Sequence, residues 1–201
     1  MKAEDTLVTN LLEGAKQFIV PIFQRDYSWG TKHCQQLWKD VIRVGSDPNV
    51  KGHFLGSVVY VAAEDNTATI TRWLLIDGQQ RLTTLYLIFR YLKSELKPGV
   101  VLTYQLTYET RPKSAEYLET LDPARRSENI DFHHLYQAHQ CIHAWFQKFP
   151  ANKRQLVADD LFSALMRHVH LIWYQAPRGL DATTLFARLN VGRIPLNDAE
   201  L

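Results

Sequence analysis

Apolar positions along this chain change their period several times, and the changes outline its elements. Leu7, Leu11 and Leu12 share one face of a short opening helix predicted over residues 6–15. Residues 18–22 read as extended, because Pro21 pushes the residue before it out of the helical region. After Thr31, a residue suited to capping a helix, Cys34, Leu37, Trp38, Val41 and Ile42 recur at helical spacing. Two β-rich runs follow, over 54–62 and 69–76, and the polar Glu64-Asp65-Asn66-Thr67 between them suits a hairpin loop. The second run ends on Asp77-Gly78. Leu85, Ile88, Phe89, Leu92 and Leu96 then mark a helix that Pro98-Gly99 stops.

Beyond residue 100 the pattern is mainly helical. It predicts a strand over 100–108, helices over 114–121, 132–149, 156–168 and 183–189, and a buried strand over 169–174. Asn190-Val191-Gly192 suits a left-handed helix end, and Asn197 looks like the cap of a further helix that the last residue, Leu201, cuts short. The expectation is an α/β (α+β) unit over residues 1–110, a mainly helical unit over 111–201, and a protein that continues past this chain.

Composition narrows the classes. Hydrophobic residues make up 46% of 201, enough for a sizeable core, and a net charge of +2 gives no general attraction to nucleic acid. DNA contact would need a local basic patch, and Arg125-Arg126, Lys153-Arg154 and Arg167-His168 are small spots of a kind usually solvated. No apolar run approaches the ~20 residues of a membrane span, and the N-terminus lacks a signal-peptide pattern. Cys34 and Cys141 lie far apart at apolar helical positions without a CxxC pair, so reduced core thiols in a cytoplasmic protein are expected. His139 and His143 stand four apart, but with no His-Glu-x-x-His pattern or cysteine cluster no zinc site is expected.

The candidate chemistry sits at residues 76–90. The apolar run Trp73-Leu74-Leu75-Ile76 feeds into Asp77-Gly78-Gln79-Gln80-Arg81 and then into a helix. A helix N-terminus presents unbonded N–H groups and partial positive charge to an anion. Gly78 permits a tight turn and close approach, and Arg81 offers a planar fork to phosphate. Gln79 and Gln80 can bond phosphate oxygens or place a water, Thr83 and Thr84 add hydroxyls, and Asp77 can hold a magnesium ion through water. The plainer alternative is a polar turn in which Asp77 caps the helix and Arg81 pairs with a surface acid. No Gly-Lys-Ser/Thr follows, so this is not a Walker loop.

Other segments carry two readings each. Arg25 can reach phosphate while Tyr27 or Trp29 stacks on a base, or the aromatics pack on the core. Gly56 and Ser57 open a strand where a ligand or a neighbouring helix comes close. Asn190 and Arg193 are wall residues of the same pocket, or parts of a helix-ending turn.

Four segments, in order, resemble one family: Ile19-Val20-Pro21-Ile22-Phe23-Gln24-Arg25-Asp26-Tyr27-Ser28-Trp29, Phe54-Leu55-Gly56-Ser57, Asp77-Gly78-Gln79-Gln80-Arg81-Leu82-Thr83-Thr84-Leu85, and Phe186-Ala187-Arg188-Leu189-Asn190-Val191-Gly192-Arg193-Ile194-Pro195-Leu196. Together they look like the N-terminal domain of GmrSD-type, modification-dependent restriction enzymes, which also occurs in phage-defence proteins that sense phosphorothioate DNA. That family resembles the ParB/sulfiredoxin fold, whose Gly-x-x-Arg turn binds nucleotide phosphates. Gly78 and Arg81 fall on that turn, and Gln24-Arg25 falls on the Pro-Gln-Arg-type motif of ParB.

The resemblance implies a nucleoside triphosphate, its base unspecified, and Mg2+ at a pocket built from residues 22–29, 54–57 and 77–84. Gly78, Arg81, Leu82, Thr83, Thr84, Gln24, Arg25, Tyr27, Gly56, Ser57 and Asn190 would bind it. Asp77, Gln79, Gln80 and Arg81 would serve hydrolysis, with Asp77 toward the metal. The implied partners are an HNH-type nuclease domain or subunit and DNA, modified or not, but no membrane; self-association into a homo-oligomer is left open. The competing expectation is a sensor that binds modified DNA without turnover, and a third is a scaffold in which nucleotide is only structural.

Overall fold

In a computed structural model of the chain, residues 2–47, 49–63, 70–177 and 179–190 are described, Lys2 and Asn190 by their backbone alone. Among the described residues, six strands and six α-helices alternate irregularly. They are Lys2–Leu7 (β1), Lys16–Val20 (β2), Thr31–Ser46 (α1), His53–Ala62 (β3), Thr71–Asp77 (β4), Gln79–Tyr91 (α2) and Tyr104–Tyr108 (β5). Pro112–Thr120 (α3), Ile130–Gln147 (α4), Ala151–His168 (α5), Val169–Gln175 (β6) and Ala182–Asn190 (α6) complete them. Among the described residues no helix is long and apolar enough to cross a membrane.

The opening helix predicted over 6–15 does not form. Lys2–Leu7 is a strand paired antiparallel with β6, Lys2 against Gln175 and Leu7 against His170, followed by a 3-10 turn over Val8–Leu12. A partner that distant in sequence overrides a weak local helical pattern. Thr31 does not cap α1 either; it is the first helical residue, and Gly30 holds the cap position with no side-chain bond. Asn129, by contrast, caps α4 by accepting from the Phe132 N–H at 2.9 Å. The loop 64–67 and the stop predicted at Val191-Gly192 lie outside the described residues.

One mixed sheet runs in the order β1-β6-β3-β4-β2-β5. β3 and β4 are the antiparallel pair that the two β-rich runs predicted, whereas β2 lies parallel to both β4 and β5, and β6 parallel to β3. These directions bring the ends of β2, β4 and β5 and the starts of β3 and β6 to one end of the sheet. α2 leaves β4 at that end and runs through the interior. Most of its residues are buried, from Leu82 and Leu85 to Ile88 and Phe89, and Gln80, Arg81 and Arg90 reach partly to the surface.

The division expected at residue 110 does not separate two cores. β6, from the later half, lies between β1 and β3. Val58, Leu75, Leu85 and Ile88 share a single core with Phe132, Leu135, Ile142, Phe146, Leu161 and Leu165. The two cysteines, expected apart, meet across α1 and α4 as free thiols. Cys34 is buried and Cys141 half-buried. Their hydrogen bond pulls the Cys141 thiol down to about 7, while the same bond and burial push Cys34 up.

Candidate functional site

The turn between β4 and α2 forms because the backbone reverses on one residue. Gly78 takes φ +102° at the cap position of α2, a left-handed conformation that other residues adopt with strain. The first intrahelical bond runs from the Leu82 N–H to the Gly78 carbonyl at 3.0 Å. Helix geometry therefore leaves the amides of Gln79 and Gln80 without a carbonyl one turn back. A second glycine lies under the turn. At Gly56, φ is +125°, the strand bulges between Phe54 and Gly56, and a Cβ would stand 2.6 Å from Nε of Arg81. The Arg81 guanidinium thus lies directly over Gly56. It donates to the Ser57 carbonyl at 3.0 Å and approaches the Asp77 carboxylate at 3.8 Å, and the Ser57 hydroxyl donates to Asp77 at 3.3 Å.

Residues 21–29 close the other side of the turn. The Gln24 amide donates to the Ile76 carbonyl at 2.7 Å and the Leu75 carbonyl at 3.3 Å, covering the end of β4. Gln80 accepts from the Ser28 and Trp29 amides at 2.9 and 3.2 Å and donates to the Asp26 carbonyl at 3.0 Å. Its amide therefore clamps this loop, a different task from the water placement expected of it. Arg25 is exposed at the loop surface.

With the turn, the bulged strand and the clamped loop together, the comparison with known families becomes decisive. The model of the GmrSD restriction endonuclease, N-terminal domain, matches residues 8–201. The chain belongs to that family. No curated protein matches it. In this GmrSD N-terminal domain the loop after β2, the start of β3 and the β4–α2 turn converge at one end of the sheet. The last of the four segments reaches the same end, since Phe186 of α6 packs against Phe23 with ring centroids 5.0 Å apart. Asn190 closes α6, with its side chain outside the described residues, as are residues 191–201.

Four residues expected to bind ligand, Tyr27, Leu82, Thr83 and Thr84, are buried. Leu82 is fully buried and its N–H is already bonded within the helix. Tyr27 is fully buried, its hydroxyl 2.9 Å from that of Thr84, and Thr84 donates to the Gln80 carbonyl at 2.8 Å. Tyr27 therefore offers no face to a base, and burial holds its hydroxyl well above the usual range. Trp29 stacks on His33 at 5.6 Å. Gln79 is buried too, but neither of its amide atoms nor the Thr83 hydroxyl has a hydrogen-bond partner.

Sequence reasoning missed the polar network beneath the loop. Arg111, just before α3, pairs with Asp26 and with Asp131 at 2.8 Å, and Asp131 also accepts from the Ser114 hydroxyl at 2.7 Å and the Tyr27 amide at 3.3 Å. Burial, and then Asp131, push the Asp26 carboxyl up against the pull of Arg111. No local signal marks Arg111 or Asp131, because only the fold brings the end of β5 and the start of α4 to residues 24–27. The small basic spots are partly engaged: Arg125 pairs with Glu128 at 3.0 Å, and Arg126 lies over the Tyr136 ring. Among the described residues there is no group of three or more histidine, cysteine or acidic side chains that would hold a metal ion. Asp77 is the one carboxylate in the turn. A single carboxylate suits a magnesium ion that arrives with substrate phosphates rather than a caged resident metal.

Proposed function

We propose that this domain binds and hydrolyses a nucleoside triphosphate and thereby controls an HNH-type nuclease in a DNA restriction or phage-defence system. The observation that carries the reading is the turn itself. A left-handed Gly78 opens a largely buried helix whose first-turn amides precede its hydrogen-bond ladder, and Arg81 and Asp77 flank that end over a glycine floor. Such a terminus favours an anion through its free donors and its dipole together. A ParB/sulfiredoxin-like nucleotide core accords with that turn and with the parallel β4–β2–β5 arrangement beside it.

The roles follow from the chemistry. The amides of Gln79 and Gln80 and the Arg81 fork hold phosphate oxygens, and Gly56 and Ser57 keep Arg81 in place. Arg25, on the loop surface, reaches outward toward phosphates. Asp77 orients the water shell of a magnesium ion, which would neutralise charge between the phosphates. Gln24 and Gln80 act through the backbone, by fixing the loop that walls the site. Phosphoryl transfer needs positioning and charge stabilisation rather than a covalent nucleophile, so this inventory suffices.

The test is phosphate release from ATP, GTP, CTP and UTP with magnesium, comparing the chain with Arg81→Ala. A charge-assisted contact of roughly 1.5–3 kcal/mol predicts nucleotide affinity lowered about 10- to 150-fold in the variant. Turnover lost in Arg81→Ala supports the reading and names the base. Absence of both turnover and nucleotide binding refutes it, and binding of modified DNA unaffected by nucleotide would identify a non-hydrolysing sensor instead.

A further inference from the structure

The two cysteines of the chain stand on facing turns of α1 and α4, outside the phosphate turn. Two contacts fix that facing. The Cys141 Sγ lies 4.0 Å from the carbonyl oxygen of Thr31, which shares the first turn of α1 with Cys34. One turn further along each helix, Trp38 and Trp145 stack with ring centroids 4.9 Å apart and an interplanar angle of 6°. Residues four apart lie on the same helix face, so Cys34 with Trp38 and Cys141 with Trp145 form two successive layers of one helix contact. The thiol–thiol hydrogen bond belongs to the first of these layers.

The two thiols differ in what can reach them. Cys34 is 1% exposed, whereas Cys141 is half-buried. The hydrogen bond from Cys34 brings the Cys141 thiol down to about 7 against the effect of burial, with help from Lys148. A partly open thiolate is the form that attacks a peroxide, and a second thiol beside it resolves the product. The chain has no third cysteine, so Cys34 is the single sulfur that Cys141 can pair with inside it.

We infer that Cys34 and Cys141 are an oxidation site: a hydroperoxide oxidises Cys141, and Cys34 then closes an intramolecular disulfide between α1 and α4. In the first step the Cys141 sulfur bonds to one peroxide oxygen as the O–O bond breaks. The other oxygen leaves with the electron pair and takes up a proton, and Cys141 is left as a sulfenic acid. In the second step Cys34 gives up its proton and its sulfur attacks that of Cys141, displacing hydroxide, which leaves as water. The two thiols together lose two electrons, and hydrogen peroxide gains them to become two waters. Exchange with a dithiol reductant reverses the bond. The link fastens the first turn of α1 to α4, and that turn directly follows the 26–29 loop that Gln80 holds. Neither step requires nucleotide or its hydrolysis.

The test treats the folded chain with hydrogen peroxide, blocks remaining thiols with N-ethylmaleimide, and maps the peptides by mass spectrometry without reductant. A peptide pair joined through Cys34 and Cys141 is expected in monomeric chain, and dithiothreitol should remove it. The link should form at least about tenfold faster than in chain unfolded in urea, where the sulfurs meet only by closing a long loop. In Cys34→Ala the reaction should stop at a sulfenic acid on Cys141 that dimedone traps, and in Cys141→Ser Cys34 should stay reduced. Links between chains only, over-oxidised Cys141 without a link, or equal rates in folded and unfolded chain would each overturn the inference. Should a variant fail to fold, the parent chain's map and its rate against the urea control decide by themselves.

Discussion

Gly56 and Gly78 share a positive φ that a side chain would strain but face different neighbours, and the difference separates two effects at the residue scale. A Cβ on Gly78 would stand 3.0 Å from the Ser57 carbonyl and 3.1 Å from Cα of Val58, backbone that cannot yield. A Cβ on Gly56 would meet Arg81 at 2.6–2.8 Å, a side chain that can swing away. Gly78→Ala is therefore expected to lower stability by about 2–3 kcal/mol, from strain and clash together. Gly56→Ala should cost about 1–2 kcal/mol yet weaken nucleotide binding as Arg81→Ala does, because the fork is displaced. Urea unfolding and nucleotide titration on the two variants check this. Equal losses of both properties in both would contradict it.

At the scale of elements, the contact of α2 with α4 holds a histidine in its neutral form. Burial, then Arg90 and His143, lower the His139 pKa from 6.5 to about 4, and its Nδ1 is buried without a partner. The unfolded chain takes up this proton first as pH falls. The stability tied to neutral His139 is full above pH 6.5 and is lost as pH drops toward 4. Between pH 7 and 5 the loss should be about 1–2 kcal/mol, below the full shift because the ring is partly solvated. His139→Leu should flatten that part of the profile, measured as urea midpoints at the two pH values. A variant as acid-sensitive as the parent would show that the loss arises elsewhere.

For the whole molecule, the position of β6 decides how the chain can be divided. It fills the gap between β1 and β3, with Val169 against His53 and Ile172 against both Ser57 and Asp5. A chain ending at residue 110 would lack that strand and every core side chain of α3, α4 and α5. It would also expose the long edge of β3, an invitation to aggregate. Residues 1–110 are expected to remain unfolded, with no cooperative melting by circular dichroism and rapid proteolysis, although they contain most of the turn and its flanking segments. A folded, nucleotide-binding 1–110 would overturn this account of the core.

The sequence by itself determined what local rules govern. β-rich runs marked β3 and β4, helical spacing marked α1 and α4, and Asp77-Gly78-Gln79-Gln80-Arg81 marked the turn, because a strand end, a glycine and a helix start are neighbours in sequence. The four ordered segments also marked the family. Tertiary structure alone decided which side chains of that turn are left at the surface. Tyr27, Leu82, Thr83 and Thr84 are buried, Gln80 closes on the 26–29 loop, and the Gln79 amide is buried without a bond. It also decided that β1 is a strand, that Cys34 touches Cys141, and that Arg111 bridges Asp26 and Asp131. The physical reason is common to all of these. Each depends on a partner far away in sequence, and residue types and spacing do not encode which distant groups meet until the sheet order and helix packing bring them together.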